Sequence, residues 1–209
     1  MLFRSSDINE AIRLNPNEPA FQANKKDLDN AIAMQTESES KLKDFAARSK
    51  TDWRTNTTTD RMTGLSTTKV FHQGKIGTGS YMVDLKCFKA TQESKPVVEI
   101  NITLHGVTAP TTRRPGIVQV DGRWRKNGNV TGFSYFQDGN WSNVFRIIMI
   151  GAETGFNDVS ISKTGSWVNR QNQIIYDLAF EFPTSSGAIF VEMPPGNPAV
   201  NKIARECVN

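Results

Sequence analysis

From Val98 to His105 apolar and polar residues alternate without a break, with Val98, Ile100, Ile102 and Leu104 set against Glu99, Asn101, Thr103 and His105. A period of two sends each set to its own face of a strand, so this segment is predicted as a strand buried on one side. The same pattern recurs. Tyr81, Val83, Leu85 and Cys87 share a face opposite Asp84 and Lys86, and Thr131, Phe133 and Tyr135 alternate with Gly132 and Ser134. Phe145 to Ile150 is nearly continuously apolar, Ile174, Tyr176, Leu178, Phe180 and Phe182 line one face of a long strand, and Ala188 to Met193 adds a last one. Asn127-Gly128 and Asp138-Gly139 are the strongest hairpin turns, since both central positions of the favoured two-residue turn need positive φ. The expected fold is a mainly β, antiparallel sandwich or partly open barrel, with an N-terminal helical arm and a short C-terminal helix, α+β overall.

The first fifty residues follow a different pattern. Ser6 or Asp7 is placed to cap a short helix ending near Leu14, and Asn15-Pro16-Asn17-Glu18-Pro19 breaks it. Helix formers resume to about Lys50, with Phe21, Leu28, Ala31, Ile32, Leu42, Phe45 and Ala46 near heptad spacing and a polar interruption from Gln35 to Lys41. At Thr51 the composition shifts to Thr, Gly, Val, Ile and aromatics, which sets the expected division at residues 1–50, a helical arm, and 51–209, a β-rich domain. At the other end Asn197 and Pro198 supply a cap and a first helical residue. The helix that follows carries Val200, Ile203 and Cys207 on one stripe.

Composition narrows the class. The chain has 209 residues, 37% of them hydrophobic, enough for a real core, and no apolar run of about 18 residues that would span a bilayer. The formal net charge is +4, and because the first fifty residues balance, the excess lies on residues 51–209. That excess permits an anionic partner without requiring one, and nucleic acid is not the expected partner. Met1 to Asp7 lacks the apolar core of a signal peptide, which leaves a cytoplasmic chain or one whose signal has been removed.

Both cysteines, Cys87 on its strand and Cys207 on the terminal helix, are expected on core-facing surfaces. We expect them to be bonded; two separate buried thiols are the alternative. A bond would close a loop of about 120 residues and place the protein outside the cytosol.

Asp52-Trp53-Arg54, Asp60-Arg61-Met62-Thr63-Gly64 and the strand segment Leu85-Lys86-Cys87, followed by a sheet and by Asn197-Pro198-Ala199-Val200 running to Cys207, resemble small periplasmic proteins such as the TagO/VasI-type accessory proteins of type VI secretion. The likeness extends over about residues 52 to 209. It implies a periplasmic or secreted accessory or binding protein and transfers no catalytic residue.

Residues that could carry chemistry are sparse. His72 and His105 are the only histidines; each reads as a surface residue, and neither has a second ligand at metal spacing, so no metal and no cofactor is expected. No Gly-x-Ser-x-Gly elbow occurs. Gly74 to Ser80 is glycine-rich, lacks phosphate-loop spacing and reads as a loop. No enzymatic activity is therefore expected. The most suggestive cluster is Arg113 and Arg114 with Arg123, Trp124, Arg125 and Lys126, expected to crowd cations and an exposed aromatic around the hairpin tip before Asn127; a solvated turn is the alternative. The expected function is a non-enzymatic bacterial envelope binding or accessory protein, contacting another envelope protein or a peptidoglycan-related glycan. An inhibitor or immunity protein, or a nucleic-acid-binding protein using the basic hairpin, are the alternatives.

Overall fold

A computed structural model of the chain describes residues 19–64, 66–88, 97–138, 141–149, 159–162 and 164–208. The short helix expected before Leu14 lies outside them. Among the described residues two helices, α1 (Pro19–Arg48) and α2 (Pro198–Val208), precede and follow twelve strands in the chain. These are β1 (Arg54–Thr59), β2 (Ser66–Ile76), β3 (Gly79–Phe88), β4 (Val97–His105), β5 (Thr112–Arg114), β6 (Ile117–Lys126), β7 (Asn129–Gln137), β8 (Val144–Met149), β9 (Ser160–Ile161), β10 (Trp167–Val168), β11 (Leu178–Thr184) and β12 (Gly187–Glu192). Nine of them pair in the order β1-β2-β3-β4-β8-β7-β6-β11-β12, β5 adds to β6, and β9 and β10 form a separate ribbon.

The alternating segments become the antiparallel strands the pattern requires. Val98, Ile100, Ile102 and Leu104 of β4, Val83 and Leu85 of β3, and Phe180 and Phe182 of β11 all face inward and are buried. They belong to one continuous core, to which the two halves of the path both contribute. The sheet stays open, because β1 and β12 are not paired with each other. The chain just before β1 nevertheless clasps β12. Lys50 N–H donates to Glu192 Oε2 (2.8 Å), Glu192 N–H to Thr51 Oγ1 (2.9 Å) and Trp53 Nε1 to Glu192 O (2.8 Å).

Asn127 and Gly128, at φ 50° and 82°, make the β6–β7 turn expected of them. Asn127 does more, and this shortens a neighbour. Its Oδ1 accepts from the backbone N–H groups of Tyr176 and Asp177 and its Nδ2 donates to Ile174 O. The chain from Ile174 to Asp177 is thus held by a side chain, and the long strand expected from Ile174 starts at Leu178. At Asp138 the two-residue turn is replaced by a longer connection, with Asp138 N–H bonded to Val144 O at 2.8 Å; Gly139 lies outside the described residues. Gly74 to Ser80, expected as a loop, is instead the end of β2, a two-residue turn at Gly77-Thr78 and the start of β3.

Asn197 caps α2 as its position suggested, accepting from Ala199 N–H (3.0 Å) and Val200 N–H (3.3 Å). Val200, Ile203 and Cys207 are buried, and α2 packs on β3, β4 and β2. Cys207 is bonded to Cys87 of β3, with 5.3 Å between their Cα atoms.

By compactness the chain divides at Lys41 and Leu42. The first unit is helical over its described part, with Ile32 and Met34 exposed and a Lys41–Glu37 ion pair at 2.6 Å along its surface; Lys41 holds the Glu37 carboxyl below its usual range. The second unit takes in the end of α1 together with the sheet. Phe45, 2% exposed, lies there under the Arg125 guanidinium, 6.0 Å from its ring centre. A chain beginning at Leu42 is therefore expected to melt like the full chain. One beginning at Lys50 should lose the Phe45 packing and about 3 kcal/mol, read as a shifted urea midpoint. Equal midpoints for the two chains would show that Phe45 contributes nothing.

Among the described residues no helix is long and apolar enough to cross a membrane.

Candidate functional site

Alternation along β2 and β3 sends Gln73 and Lys75, and Ser80 and Met82, to the outer face of the sheet. In the register of three strands Lys75 stands opposite Ser80, and Ser80 opposite His105 of β4. One row therefore presents an ammonium, a hydroxyl and an imidazole, with about 5 Å between neighbouring strands. Gln73, Met82 and Thr103 form the next row. Together with Asp52, Arg54, Gly74 and Tyr81, these residues other than Thr103 line a cleft of about 430 Å³.

Two arrangements hold the cleft in shape. Arg54 Nε donates to Asp52 Oδ2 at 2.8 Å and its Nη2 lies at the same distance, so these two rim charges compensate each other. Beneath them, Tyr81 lies across Gly74, where an added Cβ would sit 2.5 Å from the phenol ring. Only glycine leaves room for it. The Tyr81 hydroxyl is 3.2 Å from His72 Nε2, and His72 Nδ1 is 3.0 Å from Asp52 O. A carbonyl can only accept, so in the neutral ring Nδ1 carries the hydrogen and Nε2 accepts from Tyr81. Burial pushes the Tyr81 phenol above its ordinary value, which keeps it the donor. His72, read from sequence as a surface residue, is a structural link between the chain before β1 and the floor of the cleft, and its ring also leans on Trp53, with 6.0 Å between centroids.

Among the described residues, no hydrogen bond or ion pair engages Lys75 Nζ, Ser80 Oγ or the His105 ring. Ser80 Oγ is thus not joined to a base among the described residues.

Further along the same face lies a charged network of another kind. Glu99 of β4 is 2% exposed although it points away from the core. Lys86 Nζ (2.9 Å), Arg146 Nη1 (3.7 Å) and Asn101 Nδ2 (3.0 Å) surround it. Asn101 Nδ2 also donates to Asp84 Oδ2 at 3.1 Å, and burial raises the Asp84 carboxyl above its ordinary value despite that bond. Every charge here has a partner, so the network reads as a latch between β3, β4 and β8.

The basic cluster expected from sequence comes apart. Arg113 and Arg114 lie on β5, opposite Val118 and Ile117 at the start of β6, whereas Arg123 to Lys126 close its far end. The strand between them spans about 23 Å. Trp124 corrects the expectation most sharply. It is 2% exposed, faces inward, and meets Phe133 and Phe180 edge to face at 5.1 and 5.5 Å. The alternation of Arg123, Trp124 and Arg125 is that of a strand, so a tryptophan between two arginines is a core residue between two surface ones. The arginines themselves are engaged. Arg123 pairs with Glu181, while Arg125 pairs with Asp177 at 2.8 Å and reaches Glu192 at 3.7 Å, its guanidinium also lying 5.2 Å from the Phe190 ring. Arg113 is exposed, and the backbone of Arg114 pairs with Ile117.

The cleft was missed in sequence because its parts lie on four segments. Strand register alone unites Lys75, Ser80 and His105, and the hairpin that starts the register was hidden in a glycine-rich stretch. Comparison with family models, curated proteins and solved structures returned no match.

Proposed function

We propose that this chain is a non-enzymatic binding or accessory protein of the bacterial envelope that contacts a peptidoglycan-related glycan through the cleft on β2, β3 and β4. The observation that carries the reading is the cleft itself, about 430 Å³ lined by Asp52, Arg54, Gln73, Lys75, Ser80, Tyr81 and His105. That size suits a small organic ligand, and donors and acceptors converge there as saccharide hydroxyls require. Protein interfaces, by contrast, centre on apolar and aromatic anchors. The Cys87–Cys207 bond supports an oxidising compartment, in line with the role implied by the resemblance to TagO/VasI-type accessory proteins of type VI secretion. The ion pairs of Arg123 and Arg125 draw weight away from a nucleic-acid reading of the hairpin.

The test is sedimentation with purified peptidoglycan sacculi. The oxidised full chain is expected in the pellet, and a Gln73→Ala/Ser80→Ala variant in the supernatant. A full chain that stays in the supernatant refutes the glycan reading.

A further inference from the structure

We infer that the saccharide taken by the cleft is acidic, with its carboxylate or phosphate seated on the row Lys75–Ser80–His105. This rests on the glycan reading above and names the ligand chemistry that the charges select. Of the charged groups lining the cleft, Asp52 and Arg54 are bonded to each other at 2.8 Å. Lys75 is left with no counter-ion among the described residues. Beside it, on the next two strands, stand Ser80 and His105.

An oxyanion needs several donors converging from one side. The row supplies an ammonium with three N–H groups, a hydroxyl and an imidazole N–H, all pointing out of one face because cross-strand partners share a face. Side chains opposite each other across neighbouring strands lie about 5 Å apart at Cβ. A carboxylate or phosphate above Ser80 is therefore within reach of the flexible Lys75 stem on one side and of His105 on the other. The body of the sugar then lies over Met82, with the Gln73 amide at its edge. A neutral sugar hydroxyl gives the exposed Lys75 ammonium no counter-charge, whereas a carboxylate or phosphate adds the attraction of opposite charges to the hydrogen bond. An acidic ligand is the one that uses all three groups at once.

The experiment is calorimetric titration of the oxidised full chain with three probes, N-acetylmuramic acid, N-acetylglucosamine 6-phosphate and N-acetylglucosamine. At least one acid is expected to bind about tenfold or more tighter than the neutral sugar, the gain of one charged hydrogen bond. The acid that binds identifies the source of the oxyanion, a lactyl carboxylate or a sugar phosphate. Lys75→Gln, an exposed change that leaves the core intact, should reduce the acid to the affinity of the neutral sugar, whereas Arg113→Gln on β5 should leave it unchanged. Equal binding of acid and neutral sugar, or an acid that binds Lys75→Gln as well as the native chain, overturns the inference. If none of the three sugars binds while the chain still sediments with sacculi, the oxyanion seat is refuted and the glycan reading stands. Loss of both refutes both.

Discussion

Trp124→Ala is expected to remove about 4 kcal/mol of stability, the loss typical of a fully buried large aromatic cut back to its Cβ. In a chain of this size that corresponds to a fall in melting temperature of about 10 °C or more. Trp124 is wedged edge to face between Phe133 and Phe180, and Tyr135 and Phe182 extend the same aromatic cluster, 4.9 Å apart at their ring centres. Removing the indole opens a cavity that rigid rings on adjacent strands do not close. Trp124→Phe is the informative companion. The indole N–H is buried without a hydrogen-bond partner among the described residues, and an orphaned donor costs about 1–3 kcal/mol. Phenylalanine keeps most of the packing and discards the orphan, so its loss should be less than half that of alanine. Thermal unfolding of the two variants checks this directly. A Trp124→Ala protein that melts within two or three degrees of the native chain would return Trp124 to the surface and restore it as a candidate for partner contact.

The alternation that makes Trp124 a core residue was legible in the sequence throughout. Phe133 and Tyr135 turn to the core by their period of two, and the same rule applied one strand earlier places Trp124 inward and both arginines outward. Charge on both sides obscured it. Where the pattern was long and unambiguous, as in β3, β4 and α2 with its Asn197 cap, sequence and structure agree residue by residue. Elsewhere the deciding interaction is tertiary. The Asn127 side chain ends what looked like a long strand at Ile174, and the burial of Glu99 depends on Lys86 and Arg146 from two other strands. No local window contains those contacts. The cleft belongs to the same class, since it arises from the register of β2, β3 and β4 and from a segment before β1.

Reduction of the Cys87–Cys207 bond, or its removal as Cys87→Ala/Cys207→Ala, is expected to cost about 4–5 kcal/mol, because the bond closes a loop of 120 residues in the unfolded chain. The placement of Cys207 adds a local effect. It lies in the last turn of a helix whose other anchors, Val200 and Ile203, sit nearer the first turn, each 1% exposed. Without the bond the end of α2 should fray while its capped start stays docked on β3. Hydrogen exchange would show this as lost protection after Ile203 with little change at Ala199 and Val200, and denaturant titration with and without reductant would give the global cost. Identical midpoints for the oxidised and reduced protein would show that the bond is incidental to the fold, and the argument for an oxidising compartment would lose its energetic basis.

The clasp at Glu192 joins positions 139 to 142 residues apart, and this has a consequence for synthesis. At ribosomal rates of about 5–20 residues per second, the chain before β1 waits roughly 7 to 28 seconds before its partner strand exists. Contacts of such long range also slow folding after release. During that interval and afterwards β1, at the end of the strand path, keeps one free edge, the form of polypeptide most prone to pair with a neighbour. Its sequence is Arg-Thr-Asn-Thr-Thr-Thr, six residues without one apolar side chain, all of them exposed even in the finished fold. A segment that offers a backbone edge but no hydrophobic surface gains little from intermolecular association. The polarity of β1, which adds nothing to the core, protects that edge both while the chain waits for Glu192 and after the clasp has formed.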